Sequence, residues 1–155
     1  MILRHNRVVT LLEKHFKQSG IYNVKREPII TTRHRKCWPD MILNKDDTAI
    51  VLDAQVVRRR SLDYDHKINK EKYDTSDLKD RIKELYGVRQ VYPFTCTLSY
   101  KGIWSSESLK DLSALKVPSR VLGMITTSIL RGSWLAWETF NRRKTVRWRR
   151  SGGTE

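Results

Sequence analysis

Apolar residues recur along this chain at two periods, and the switches between them mark out the elements. Val8, Leu11, Leu12, His15 and Phe16 are spaced as one face of a helix, and Ser19-Gly20 stops the run. His15 lies on that apolar face and is expected in the core. Residues 21–32 mix β-branched and charged side chains around Pro28, which predicts an outer or edge strand before the basic turn Arg33-His34-Arg35-Lys36. Two apolar runs follow, residues 41–43 and 49–57, joined by a polar turn over 44–48, and they predict a hairpin of buried strands. The charged stretch 58–65 leaves the sheet, and 66–74 reads as a polar segment. A helix is predicted from a cap at Thr75 or Ser76, with Leu78, Ile82, Leu85 and Tyr86 on one face and Gly87 ending it. Residues 88–100 read as a strand through Val91, Tyr92, Phe94 and Thr95. Residues 105–115 suit a short surface helix, and Pro118 opens a long one with Val121, Met124, Ile125, Ser128, Ile129, Gly132, Leu135 and Ala136 at helical spacing. The order α-β-β-β-α-β-α predicts an α/β fold with a central mixed sheet flanked by helices.

At 155 residues, 39% of them hydrophobic, the chain can build one core and is too short for two. Residues 1–103 are expected to form that core, residues 104–150 a C-terminal helical extension with a basic tail, and residues 151–155 a disordered end. Lys and Arg number 31 against 17 Asp and Glu, a formal net charge of +14, which favours a polyanionic partner, DNA or RNA. Cys37 and Cys96 stand far apart without metal-ligand spacing, so neither a zinc knuckle nor a disulfide framework is expected, and the protein reads as intracellular and reducing. No apolar run approaches the roughly 18 residues of a membrane span, and the first residues do not read as a signal peptide.

Within this frame two acids stand out. Asp40 follows Trp38-Pro39, and Asp53 lies thirteen positions on, inside the run Ile50-Val51-Leu52-Asp53-Ala54. A carboxylate in an apolar strand is costly without a partner. In a basic chain, two such acids brought together by a hairpin suit a divalent metal, Mg2+ or Mn2+, that activates water beside a phosphodiester. Asp40 and Asp53 are the expected metal ligands. The position two after the second acid, where a catalytic lysine often stands, is Gln55, so the lysine must come from elsewhere. Lys67, Lys70 and Lys72 are the candidates, with Lys70 first and Lys72 second. Tyr73 could bond a phosphate oxygen or the attacking water, or simply pack on the sheet.

Arg4-His5-Asn6 before the first helix, Pro39-Asp40, Asp53 in its strand, and the segment from Asp65-His66 to Lys72-Tyr73 together resemble the restriction-like endonuclease domain of site-specific non-LTR retrotransposon polyproteins of the R2 type. The resemblance covers most of the chain from Arg4. It implies a PD-(D/E)xK endonuclease core and a C-terminal fragment of a polyprotein that also carries an RNA-directed DNA polymerase. It further implies nicking of double-stranded chromosomal DNA in the nucleus, so that the freed 3′ end primes copying of the element's RNA. By matching position, Asp40 and Asp53 would be the catalytic acids, with a lysine from the 67–72 segment and Tyr73. Family members usually carry a basic residue where this chain has Trp38, and a lysine where it has Asn69.

Around this centre, Arg33, Arg35 and Lys36, then Arg58, Arg59 and Arg60, and the tail residues Arg142, Arg143, Arg147, Trp148 and Arg149 are expected to contact nucleic acid, mainly its phosphates. Trp148, among arginines, is the stacking candidate, whereas Trp134 and Trp137 are expected in the core or an interface. His5 is expected to cap the first helix, with DNA contact as the alternative. A noncatalytic basic nucleic-acid-binding module on a degenerate nuclease fold is the competing reading.

Overall fold

The computed structural model describes residues 2–58 and 61–151, with side chains described for residues 3–58 and 61–143. Helix α1 (Ile2–Ser19) leads into a four-stranded mixed sheet ordered β1 (Asn23–Arg26), β4 (Met41–Lys45), β5 (Thr48–Val57), β6 (Gln90–Ser99). The first three strands are mutually antiparallel and β6 runs parallel to β5. A parallel pair needs a crossover, supplied here by α2 (Leu62–Tyr73) and α3 (Ser76–Tyr86). Strand β5 is covered on both faces, which is why its sequence is a nearly unbroken apolar run. One core lies between the sheet and α1 with α5 (Ser119–Ser151), through Leu12, Phe16, Met41, Leu52, Leu98 and Ile125. The other lies under α2 and α3, through Ile42, Val51, Tyr73, Leu78 and Ile82.

The expected edge strand over 21–32 is instead two short strands with a break, and the break has a definite cause. The β1–β4 register ends with Arg26 opposite Met41, and Glu27 N–H then donates to the Asp40 carbonyl at 2.8 Å. The same register resumes in a second ladder, β2 (Ile30–Thr31) against β3 (Lys36–Cys37), and closes where Thr32 N–H donates to the Arg35 carbonyl at 2.9 Å. In that register Pro28 faces Pro39. Glu27, just before Pro28, turns into the left-handed region with φ of 48°, and the ladder is interrupted there, so the hairpin becomes an inner and an outer arm. Asp40 follows the interruption directly.

The polar segment expected at 66–74 is helical, and α2 begins earlier, at Leu62. Only His66 and Tyr73 are buried on it, so it shows no apolar stripe from which periodicity could have found it. Helix α3 ends at Gly87 as expected, with φ of 64°. Helix α4 (Ser106–Ala114) is more than a surface helix, because Ser108, Asp111 and Leu112 are buried. It seals the outer edge of β6: Thr97 N–H donates to Ser108 Oγ at 2.7 Å and Thr95 N–H to Asp111 Oδ2 at 3.3 Å. Pro93 sits at the same parity on β6, where its missing N–H interrupts no bond to β5. Among the described residues no helix is long and apolar enough to cross a membrane.

Candidate active site

Hairpin register brings the two acids together. The β4–β5 ladder pairs Met41 with Leu52, and one step further along it Asp40 stands opposite Asp53. Asp40 Oδ2 accepts from the Ala54 N–H at 2.7 Å, which ties the acid to β5, and is 3.0 Å from His5 Nε2. Asp53 is 8% exposed. Its Oδ1 accepts from the Tyr73 hydroxyl at 3.1 Å and its Oδ2 from Asn69 Nδ2 at 2.9 Å. Asn69 and Tyr73 are four apart on α2, so one helical face delivers both donors to one carboxylate.

The setting of Asp53 opposes its ionisation. Burial, followed by the negative charge of Asp40, pushes the Asp53 carboxyl up to about 6, while Asn69, Tyr73 and the Lys72 ammonium pull the other way. The bond to Asp40 raises His5 to about 9. Burial and the neighbouring Asp53 carry the Tyr73 phenol well above its usual range, so it remains a hydrogen-bond donor.

The described residues singled out in the sequence have definite places. Tyr73 is both packed in the core and bonded to Asp53, so its two expected roles coexist. Lys70 does not face the acids. Its Nζ lies 3.2 Å from both Asp111 carboxylate oxygens and 5.4 Å above the Phe94 ring, on the flank of α2 toward α4. Lys72 carries the charge that acts on Asp53, with its Nζ 5.0 Å from the Tyr73 ring centroid. It lines a 630 Å³ pocket with Gln55, Arg58, Asp65 and Asn69. Lys67 is exposed and pairs with Glu71 at 3.9 Å. Gln55 directs its amide nitrogen to the Asp65 carbonyl and to Thr97 Oγ1, both at 2.8 Å.

His5 is not a cap: it lies within α1, and its imidazole buttresses Asp40. His15 is half-buried, edge-on to Phe16, and burial lowers its pKa. Arg35 turns inward, donating to the Lys72 carbonyl at 3.0 Å and to Thr75 Oγ1 at 2.6 Å, so it fastens the outer hairpin to the α2–α3 junction. Arg33, Lys36, Arg58, Arg142 and Arg143 are exposed, with Arg142 paired to Glu138. Trp134 and Trp137 are also exposed, their rings 5.2 Å apart, so of the core or interface expected for them the core is excluded. Arg59 and Arg60, the side chains of Arg147, Trp148 and Arg149, and the end 152–155 lie outside the described residues.

Comparison with known proteins gives this geometry a context. No known family profile matches the chain. It is 42% identical over 147 residues to the Retrovirus-related Pol polyprotein from type-1 retrotransposable element R2 of Bradysia coprophila, covering 94% of this chain and 17% of that protein. Its homologues are R2 retrotransposon Pol polyproteins. The polyprotein from type-2 element R2DM of Drosophila melanogaster is 26% identical over 142 residues, 90% of this chain and 13% of that protein. The type-1 R2 polyprotein of Nasonia vitripennis is 26% identical over 144 residues, 91% of this chain and 14% of that protein. The chain thus spans 13–17% of the length of these R2 polyproteins. One solved structure, a protein of unknown function named AF1548, aligns over 70% of this chain and 54% of its own at 13% identity, with a TM-score of 0.41, a likeness too weak to identify the fold.

Proposed function

We propose that this chain is a metal-dependent endonuclease domain on a restriction-endonuclease-like core, nicking DNA as part of a retrotransposon polyprotein. The observation that carries the reading is the acid pair itself: Asp40 and Asp53 in register across one hairpin, with Asp53 buried and its carboxyl raised partly by Asp40. A buried acid facing a second, half-buried acid suits a cation site. The donor set suits Mg2+ or Mn2+, because such an ion is held by one or two carboxylates and keeps waters and phosphate oxygens for its other positions. Among the described residues no group of three or more acid, His or Cys side chains offers a closed cage.

Asp40 and Asp53 would hold the metal, which when bound supplies charge neutralisation at the phosphate and lowers the pKa of an attacking water. The remaining work falls to the chain. Asn69 and Tyr73 orient Asp53 and stabilise its ionised form, while the Ala54 N–H and His5 hold Asp40 in place. Lys72 is the ammonium on the Asp53 side and stands for the catalytic lysine, to neutralise the leaving oxygen. The Gln55 amide, its nitrogen already engaged, offers its carbonyl oxygen to a water. Arg33, Lys36, Arg58, Arg142 and Arg143, with Arg147, Trp148 and Arg149 of the tail, would contact the duplex, and element RNA would be handled by the rest of the polyprotein, in the nucleus.

The test is plasmid nicking by the purified chain with Mg2+ or Mn2+ against EDTA. Nicking should need the metal, vanish in Asp40→Ala and Asp53→Ala while DNA binding persists, and fall at least about tenfold in Lys72→Ala, the loss of one charge-stabilising group. DNA binding without cutting in either metal would reject the catalytic reading and favour a binding module, in which Gln55 and Asn69 mark the loss of a lysine.

A further inference from the structure

The outer arm of the interrupted hairpin carries an apolar feature that the acid site does not use. Burial alternates cleanly along it: Pro28, Ile30, Cys37 and Pro39 face inward, and Ile29, Thr31, Lys36 and Trp38 face out. Ile29 is 63% exposed and Trp38 61%. The register that links Glu27 with Asp40 and Ile30 with Cys37 puts Ile29 directly opposite Trp38, so the two stand as a cross-strand pair on the open face. Trp38 makes no hydrogen bond or ring contact among the described residues. An indole left bare beside an aliphatic side chain is a costly surface unless something covers it.

We propose that Trp38, backed by Ile29, is a wedge that stacks into a base step of the DNA next to the scissile phosphate. The proposal rests on the nuclease reading and extends it to how the substrate is deformed. Three observations commit the surface to DNA. Trp38 is two residues from Asp40, about 7 Å of extended chain, or roughly two base steps along a strand. Lys36 shares the outer face and Arg33 stands at the tip, so the rim is charged for phosphates in a chain of net charge +14. The arm is also rigid enough to push. The Thr32 hydroxyl accepts from the His34 and Arg35 N–H groups at 3.2 and 3.1 Å, and Arg35 bolts the arm to the α2–α3 junction. An apolar side chain driven between stacked bases must repay the unstacking, a few kcal/mol per step, through the contacts that the bent duplex then makes. A duplex already opened at that step spares the cost, and the energetics therefore predict a preference for distorted DNA.

The experiment measures binding without cleavage, using a labelled duplex with a central two-base mismatch and its fully paired counterpart, in EDTA. The native chain should bind the mismatched duplex about tenfold more tightly. Trp38→Ala should bring the ratio to within twofold of unity, and Trp38→Phe, which keeps a stacking face, should retain most of it. Equal affinity of the native chain for both duplexes would overturn the proposal and leave the indole to another protein. An unchanged preference in Trp38→Ala, or an equal loss of affinity for both duplexes, would overturn it as well. Because no metal is present, failure here leaves the nicking result untouched, and failure of nicking leaves this ratio measurable.

Discussion

Asp53 combines burial, two neutral donors and an opposing acid, and that makes its proton the one to follow. Its folded pKa is raised from 3.8 to about 6, so the neutral form is favoured by folding. The stability this contributes is complete below pH 3.8 and is lost as pH rises through about 6, a change on the order of 3 kcal/mol. In urea unfolding under EDTA, the native chain should lose stability relative to Asp53→Asn across that window, and a pH-independent difference would contradict the burial argument. His5 follows the same sign in a higher window. Raised from 6.5 to about 9, its contribution is complete below pH 6.5 and lost as pH rises through about 9. The advantage of the native chain over His5→Gln should therefore fade between those limits, which the same unfolding series extended to pH 10 would measure.

At the scale of elements, α2 is held by polar contacts rather than by an apolar stripe. Asp111 of α4 is their hub: its carboxylate accepts from Lys70 at 3.2 Å and from the Thr95 N–H at 3.3 Å, and lies 3.4 Å from His66 Nε2, outside hydrogen-bonding geometry. The other ring nitrogen of His66 pairs with Ser108 Oγ at 2.9 Å. Burial pushes the Asp111 carboxyl up, but His66 and Lys70 outweigh it and hold it below the ordinary range. Asp111→Ala would leave the buried Thr95 N–H without its acceptor and Lys70 without its counter-charge, and should cost about 2–4 kcal/mol in urea unfolding. The two lysines of α2 should separate by assay. Lys70→Ala should lower stability by about 1 kcal/mol and spare the chemistry, while the exposed Lys72→Ala should leave stability within about 0.5 kcal/mol and depress nicking. Equal effects on nicking would return Lys70 to the site.

Across the whole molecule, α5 changes character along its length. Val121, Ile125 and Ile129 are buried against α1, Arg4 donates to Ser133 Oγ at 2.9 Å, and beyond Ile129 no described residue of the helix is buried. Ile125→Ala should cost about 2–5 kcal/mol through the cavity it leaves. Replacing Trp134 and Trp137 by Ser should change stability by no more than about 0.5 kcal/mol each, as their faces already meet solvent. A larger loss in thermal unfolding would mean that the helix end is held to the core after all.

Most of the framework is legible in the linear chain, because burial on strands and on amphipathic helices imposes periods of two and about three and a half on the apolar residues. That is enough to find α1, β4, β5, α3, β6 and α5, and to see that a short hairpin must bring Asp40 and Asp53 together. Gly87 likewise marks the end of α3 through its left-handed backbone. What periodicity cannot express is which polar group meets which across long sequence separations. His5 reaching Asp40, Asn69 and Tyr73 converging on Asp53, Lys70 drawn to Asp111, and Arg35 turned inward are all pairings of side chains whose spacing in sequence carries no signal. They exist only once the sheet has set the register and the helices have been laid on its two faces. The apolar pattern decided the architecture through the hydrophobic effect. The tertiary structure alone decided these polar pairings, since hydrogen bonds and charges act over a few ångströms of space and take no account of distance along the chain.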